Sequence, residues 1–350
     1  MIRFSTSVKA RFRGMVDQIM ESGQLSGGPF TEGFERRWRD HECGGVGTVV
    51  ATSNGTTALE LAIRYARCTS GVPPSSLVAI PEYAPPMLRW AVRQAGYTPV
   101  LYDAGVNMVP TLETIAPIIA MRPRAIIYVA TGGMVDDSLP AIQNAAILAK
   151  IPLIGDLSHA HLGQYAACKL PAYFDACAWS FYATKTFGVG EGGAVWFSFL
   201  SDSPAAYANQ GKPRGSGIFG PVGYNLRPSE FSAALMLALA EHGSQIYKDR
   251  QYRANRLIAA GVFPITMDVE SLRTGYYKFM VRVGDADVVT AAAKEAGVRL
   301  TGRVYGPEYF GGTGIRFENT RELINGHICP DLPTADDDDE YIERLATILR

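Results

Sequence analysis

The sequence predicts an α/β fold, a mostly parallel sheet with helices on both faces, followed by a smaller α+β unit. Three observations carry this. Short apolar, β-branched runs alternate with helical patterns from Val46 to Phe199, glycines gather where those runs end, and the alternation stops after Phe199. Such alternation requires βαβ crossovers, because parallel strands cannot be joined by a tight turn. A chain of 350 residues has room for two domains. The change of rhythm suggests a large domain over 1–243 and a small C-terminal one over 244–350.

Met1 to Gly23 mixes Arg3, Lys9, Arg11 and Arg13 with Asp17 and Glu21 and has no uninterrupted apolar core. It reads as an amphipathic helix within an N-terminal stretch 1–25, not as a signal peptide. Thr48–Thr52 reads as a strand and Thr56–Arg67 as a helix; Leu77–Ile80 as a strand, Met87–Ala95 as a helix and Pro99–Tyr102 as a strand. Ala125–Ala130 follows as a strand, Ala141–Lys150 as a helix, Pro152–Gly155 as a strand, then an aromatic strand around Trp179 and another over Ala194–Phe199. A Gly/Pro-rich loop covers Asp202–Tyr224, and an Ala/Leu-rich helical stretch runs from Ser229 to about Gly243. The smaller unit opens near Tyr247.

With 47% hydrophobic and 19% charged side chains the composition is that of a globular protein. Lys plus Arg (33) and Asp plus Glu (34) leave a net charge of −1, so no overall field favours nucleic acid or a membrane surface. Any anionic ligand has to be held by local groups. No run of about 18 apolar residues is present, so no membrane span and a cytoplasmic location are expected. The five cysteines are odd in number and lack CxxC spacing, which argues against a disulfide framework or a zinc site. The 36 glycines exceed a background of about 7% and cluster, so their clusters are where chemistry is sought.

Four features fall at or after strand ends, where ligands of such sheets sit. In Ser53-Asn-Gly-Thr-Thr-Ala58 a helix N-terminus, with Gly55 permitting close approach and Thr56 and Thr57 offering hydroxyls, suits a phosphate. An ordinary helix cap is the alternative. Asp156 ends an apolar strand, where a carboxylate needs a cationic partner such as a protonated heterocycle nitrogen, and His159 follows three residues on. A metal held by Asp156, His159 and His161, or a merely capped Asp156, are the alternatives. Lys185 stands after an aromatic strand, entering a hairpin with Gly188, Gly190, Gly192 and Gly193, where burial would lower its pKa toward that of a Schiff-base amine. Finally Val222-Gly-Tyr-Asn-Leu-Arg-Pro-Ser-Glu230 offers Asn225 and Arg227 to an anion just before a helix. Taken singly, the phosphate-cup, lysine and Asn225 features each have a plainer structural explanation.

Together they form a pattern. Gly27–Glu35, Asn54–Leu59, Gly96–Asp103, Asp156–Ala160, Ser180–Lys185 with Gly190–Gly193, Gly223–Arg227 and a weaker Leu332-Pro333 run in an order and spacing that spans most of the chain. In this the chain resembles the pyridoxal-phosphate aminotransferases of the DegT type, which act on nucleotide-linked keto sugars. The resemblance implies fold type I with a seven-stranded sheet. It implies that Lys185 carries pyridoxal 5'-phosphate as a Schiff base, that Asp156 pairs with its ring nitrogen and that His159 lies by its phenolic oxygen or ring. Gly55, Thr56, Thr57 and Ser180 would hold the phosphate. Asn225 would reach the cofactor phosphate of a neighbouring subunit, which implies a homodimer with shared sites.

The chain departs from the family at Pro81-Glu-Tyr-Ala-Pro-Pro-Met87, where members place an aromatic ring over the cofactor. Pro85 stands at that position and Ala84 replaces a threonine, which leaves Tyr83, His159 or the proline face to cover the ring. Lys212, Arg214 and Arg227 form a sparse basic group suited to a nucleotide diphosphate, with surface charge as the alternative. Asp336–Glu340 lacks the glycine and spacing of a calcium loop and reads as an acidic complement to the helix Tyr341–Leu349. The expected activity is amino transfer from glutamate or glutamine to a keto group of a nucleotide-linked sugar or related cyclic polyol. The rivals are a fold type I enzyme with a non-sugar substrate, a pyridoxamine-dependent sugar dehydratase, and, from another class, a catalytically inactive cofactor-binding regulator.

Overall fold

The computed structural model describes residues 4–67, 75–215, 220, 222–265, 271–310, 315–333 and 339–349. Two helices open it, α1 (Thr6–Ser22), capped by the Ser5 hydroxyl, and α2 (Pro29–Glu42), with a proline where a missing N–H costs nothing. The chain then alternates through β1 (Thr48–Thr52), α3 (Gly55–Tyr65), β2 (Leu77–Pro81), α4 (Pro86–Gln94), β3 (Thr98–Tyr102), α5 (Leu112–Ala120), β4 (Ala125–Val129), α6 (Leu139–Ala149) and β5 (Leu153–Asp156). A short hairpin, β6 (Gln164–Tyr165) and β7 (Cys168–Lys169), precedes β8 (Ala176–Ser180) and β9 (Gly193–Phe197).

Seven of these strands form one sheet in the order β1-β9-β8-β5-β4-β2-β3. β9 runs antiparallel to both neighbours, and the remaining pairs are parallel. Both faces are covered, so β4 is buried at every residue. Ile126 and Tyr128 enter the core shared with α1, α2 and α8 (Glu230–Glu241), while Ile127 and Val129 enter the core shared with α3 and α4. The register sets Val129, Asp156 and Ala178 side by side at the carboxyl edge.

After α7 (Ser203–Ala208), the Ala/Leu-rich α8 buries most of its circumference. Its buried Glu230 accepts the N–H groups of Gly28, Phe30 and Thr31 at 2.9, 2.8 and 3.1 Å and so anchors the start of α2. α9 (Gly243–Ala259) leads to a smaller antiparallel sheet in which β13 (His327–Pro330) lies between β11 (Val281–Arg282) and β12 (Leu300–Gly302). β10 (Leu272–Arg273) pairs with β6 of the hairpin instead. α10 (Ala286–Glu295), α11 (Glu318–Asn325) and α12 (Asp339–Leu349) complete the chain. Two carboxylates at the ends of β2 and β3 dock this unit. Glu82 accepts the N–H groups of Arg316 and Phe317 at 3.0 Å each, and Asp103 those of Asn319 and Thr320 at 3.2 and 3.1 Å, at the start of α11.

Each expected strand of the large sheet is present to within one or two residues at most boundaries; the last ends at Phe197 rather than Phe199. α2 and α5 were not expected. Gly27-Gly-Pro reads locally as a turn, and α5 carries Pro117 in its interior, a residue that breaks helical patterns. The Thr111 and Thr114 capping box, with bonds of 3.1 and 3.3 Å, offsets part of that cost. Of the acidic run, Asp336, Asp337 and Asp338 lie outside the described residues, and α12 begins at Asp339. Among the described residues no helix is long and apolar enough to cross a membrane.

Candidate active site

A cavity of about 300 Å³ opens at the carboxyl edge of the sheet, where the chain leaves β1, β4, β5 and β8. One end is the start of α3. The Asn54 side chain accepts the Thr57 N–H at 3.0 Å, and the Thr57 hydroxyl donates to the Asn54 carbonyl at 2.8 Å. That cap leaves the first two N–H groups of the helix, on Gly55 and Thr56, directed at the cavity they line. Two glycines permit this approach. A Cβ on Gly55 would lie 2.6 Å from the Ser180 Cβ, and one on Gly193 would lie 2.2 Å from the Asn54 carbonyl oxygen. Helix N-terminus and Ser180 thus meet as a cup for an anion.

Asp156, the last residue of β5, lies opposite, fully buried and accepting the Ser158 N–H at 3.1 Å. Burial raises its pKa above the usual carboxylate range, against the Ser158 hydrogen bonds and the positive charge of Lys185. It makes no ion pair among the described residues. A buried carboxylate so placed fits a cationic ring nitrogen. His159 turns its Nδ1 toward the Gly132 N–H at 3.1 Å; since that N–H can only donate, Nδ1 accepts and the proton sits on Nε2. Burial, with the charges of Lys185 and Lys278, holds His159 neutral, well below the ordinary histidine range. His161 points elsewhere, into an aromatic cage where it stacks on Phe187 at 5.3 Å, and burial pushes it down to about 3. It therefore does not converge with Asp156 and His159 on a metal.

Lys185 stands in the hairpin joining β8 to β9, its N–H donating to the Tyr182 carbonyl at 2.8 Å and its carbonyl accepting the Gly188 N–H at 2.9 Å. Burial lowers its pKa to about 8; Asp156 opposes that shift and Lys278 adds to it. Its Nζ lies 4.6 Å from the centre of the Tyr277 ring, whose hydroxyl is 3.1 Å from Thr184 Oγ1.

The cavity also takes residues that sequence reasoning missed. Tyr277, Lys278, Tyr305 and Tyr309 reach it from the smaller unit; Pro85 and Met87, in the segment the sequence had singled out, line it from the start of α4. The Gly132 carbonyl accepts the Lys278 N–H at 3.3 Å while its N–H serves His159, so the turn after β4 ties the two walls together. A double glycine following a buried strand, Gly132-Gly133, was the available signal. Gly132 has φ +67° and Gly133 φ +96°, which only glycine adopts without strain.

Other expected site residues lie away from the cavity. Tyr83 is fully buried outside it; its hydroxyl is 3.3 Å from both the Tyr305 carbonyl and His327 Nε2, and its ring lies 5.8 Å from Phe310. It is a core residue between the two units, which corrects the expectation that it covers the cofactor. Thr57 is turned onto Asn54 and does not line the cavity, unlike Gly55, Thr56 and Ser180. Arg227 donates to Asn209 Oδ1 at 2.7 Å, and Arg214 pairs with the buried Glu35 at 2.6 Å. Neither they nor Lys212 line the cavity, so the expected basic group is not part of its described wall. Asn225 is exposed and bridges to Asn209, also outside it.

An anion cup, a lone buried carboxylate and a lysine of lowered pKa on the carboxyl edge of such a sheet define a class of enzyme that holds a phosphorylated, cationic heterocycle through an amine. The sequence profile of the DegT/DnrJ/EryC1/StrS aminotransferase family matches residues 6–321, and the chain belongs to that family of pyridoxal-phosphate-dependent transaminases. It is 29% identical to the 3-amino-5-hydroxybenzoate synthase of Amycolatopsis mediterranei over 78% of this chain and 72% of that one. It is 27% identical to a putative L-glutamine:3-amino-2,3-dideoxy-scyllo-inosose aminotransferase of Streptomyces kanamyceticus over 91% of this chain and 82% of the relative. The crystal structure of a 3-amino-5-hydroxybenzoic acid synthase superposes with a TM-score of 0.81 at 23% identity, covering 99% of this chain and 96% of that one.

Proposed function

We propose that the chain transfers an amino group from an amino acid, glutamine or glutamate, to a keto group on a sugar-related ring. The observation that carries this is the convergence of Lys185, Asp156 and the start of α3 on one cavity. Pyridoxal phosphate, when bound, supplies the electron sink that makes the donor's Cα–H acidic. The chain's residues do the rest. The N–H groups of Gly55 and Thr56 and the Ser180 hydroxyl bind the phosphate, and Asp156 keeps the ring nitrogen protonated. Lys185 would hold the cofactor through its amine and would move a proton at the donor's α carbon, a role worth roughly 10²–10⁴-fold in rate. His159, neutral and carrying its proton on Nε2, orients a cofactor oxygen or ring edge.

Relatives named for cyclitol and benzoate products, together with the absence of Lys212 and Arg227 from the cavity wall, favour a free ring as acceptor. A nucleotide-linked sugar is the second reading, and it fits a homodimer in which Asn225 reaches a partner's site. Retention of Lys185 favours transamination over dehydration, and retention of the whole cavity favours an enzyme over a silent regulator. The test is amino transfer from L-glutamine to a ring ketone such as scyllo-inosose, with the purified chain and added pyridoxal phosphate. Turnover that vanishes in Lys185→Ala supports the reading; equal turnover in the variant overturns it.

A further inference from the structure

Lys278 is a second cation in the cavity that the roles above leave unused. It lines the wall opposite the sheet, with Nζ 5.7 Å from the centre of the same Tyr277 ring that Lys185 approaches at 4.6 Å. Both ammonium groups therefore lie close to one aromatic ring. Asp156 lies at the end of β5 and Glu191 is exposed, and Lys278 forms no ion pair among the described residues. Cys329 on β13 and Asp331 just after it influence it only at a distance. Its position is fixed by the backbone. Arg250 on α9 donates to the carbonyls of Gly275 and Tyr276, and the Lys278 N–H donates to Gly132 at 3.3 Å. A half-buried ammonium held on a rigid segment beside another cation has an unmet need for an anion. The cofactor's phosphate would have its own donors at the start of α3 and Ser180.

We infer that Lys278 binds a carboxylate of the substrates, with Tyr277 and Tyr305 as the flat wall against which the rest of the substrate lies. This rests on the transaminase reading and names a recognition element within it. Two sources of the carboxylate share the chemistry, the amino-acid donor and a ring acceptor that bears an acid group.

The test uses the cofactor-loaded protein and two variants, Lys278→Met and Lys278→Arg. In the donor arm, the visible cofactor band is titrated with L-glutamine and with 4-aminobutanamide, which is glutamine without its α-carboxylate. In the acceptor arm, benzoate and benzamide are compared as competitors of L-glutamine. A charge-assisted contact predicts that wild type favours a carboxylate ligand over its neutral analogue by about tenfold or more. Lys278→Met should lose that preference and Lys278→Arg should regain part of it. Loss confined to the glutamine pair assigns the carboxylate to the donor, and loss confined to the benzoate pair assigns it to the acceptor. If Lys278→Met keeps its visible band and both preferences, the inference is overturned. Failure of wild type to form a band with pyridoxal phosphate would instead overturn the transaminase reading beneath it.

Discussion

Lys185 illustrates how one residue acquires its chemistry from its surroundings. A free lysine is almost wholly protonated at neutral pH and a poor nucleophile. Here burial removes water from the ammonium, and Lys278 repels it, so the pKa falls to about 8 despite the attraction of Asp156. The neutral amine is the form that attacks the cofactor's carbonyl, and its fraction grows as pH rises through the pKa. The rate at which apoprotein captures pyridoxal phosphate should therefore climb between about pH 7 and 9 and level off above that. Stopped-flow absorbance across pH 6 to 10 checks this; a climb centred near pH 10 would show an ordinary exposed lysine.

The segment joining β2 to α4 shows what an element gains when a side chain changes duty. Glu82 and Tyr83 leave the carboxyl edge of the sheet and are used entirely in holding the smaller unit. His327 donates from Nδ1 to the Leu323 carbonyl, and its Nε2 accepts the Val304 N–H at 2.9 Å and lies 3.3 Å from the Tyr83 hydroxyl. Burial pushes its pKa down to about 4, so this network stays neutral at physiological pH. Tyr83→Phe leaves buried polar groups short of a partner and should cost about 1–3 kcal/mol of stability while the cofactor still binds. Urea unfolding and the visible band measure the two halves; loss of cofactor affinity with no loss of stability would return Tyr83 to the site.

Sequence patterns exposed the large sheet because its strands are short apolar runs ended by glycines, and Lys185, Asp156 and Gly55 because each sits at such an end. The pattern gave no warning of Tyr277, Lys278 or Tyr305. They lie more than ninety residues beyond Lys185, and only the docking of α11 on Glu82 and Asp103, with the turn at Gly132, brings their segment over the sheet. Tyr83 misled for the same reason, since its direction depends on His327, far along the chain.

At the scale of the whole molecule, a net charge of −1 conceals a strongly polarised interior. Two lysines, a buried carboxylate and a helix start share one cavity of about 300 Å³ between a rigid sheet and a smaller unit. The start of α3 and Lys278 both line that cavity, one from the edge of the sheet and the other from the smaller unit, and a substrate held by Lys278 would be oriented before reaction. Of the two neighbouring lysines, we assign the cofactor to Lys185 and not to Lys278. Borohydride reduction of the loaded protein, followed by digestion and mass spectrometry, addresses it directly. The pyridoxyl adduct is expected on the peptide containing Lys185 alone; an adduct on Lys278, or an unmodified Lys185 peptide, would overturn the assignment.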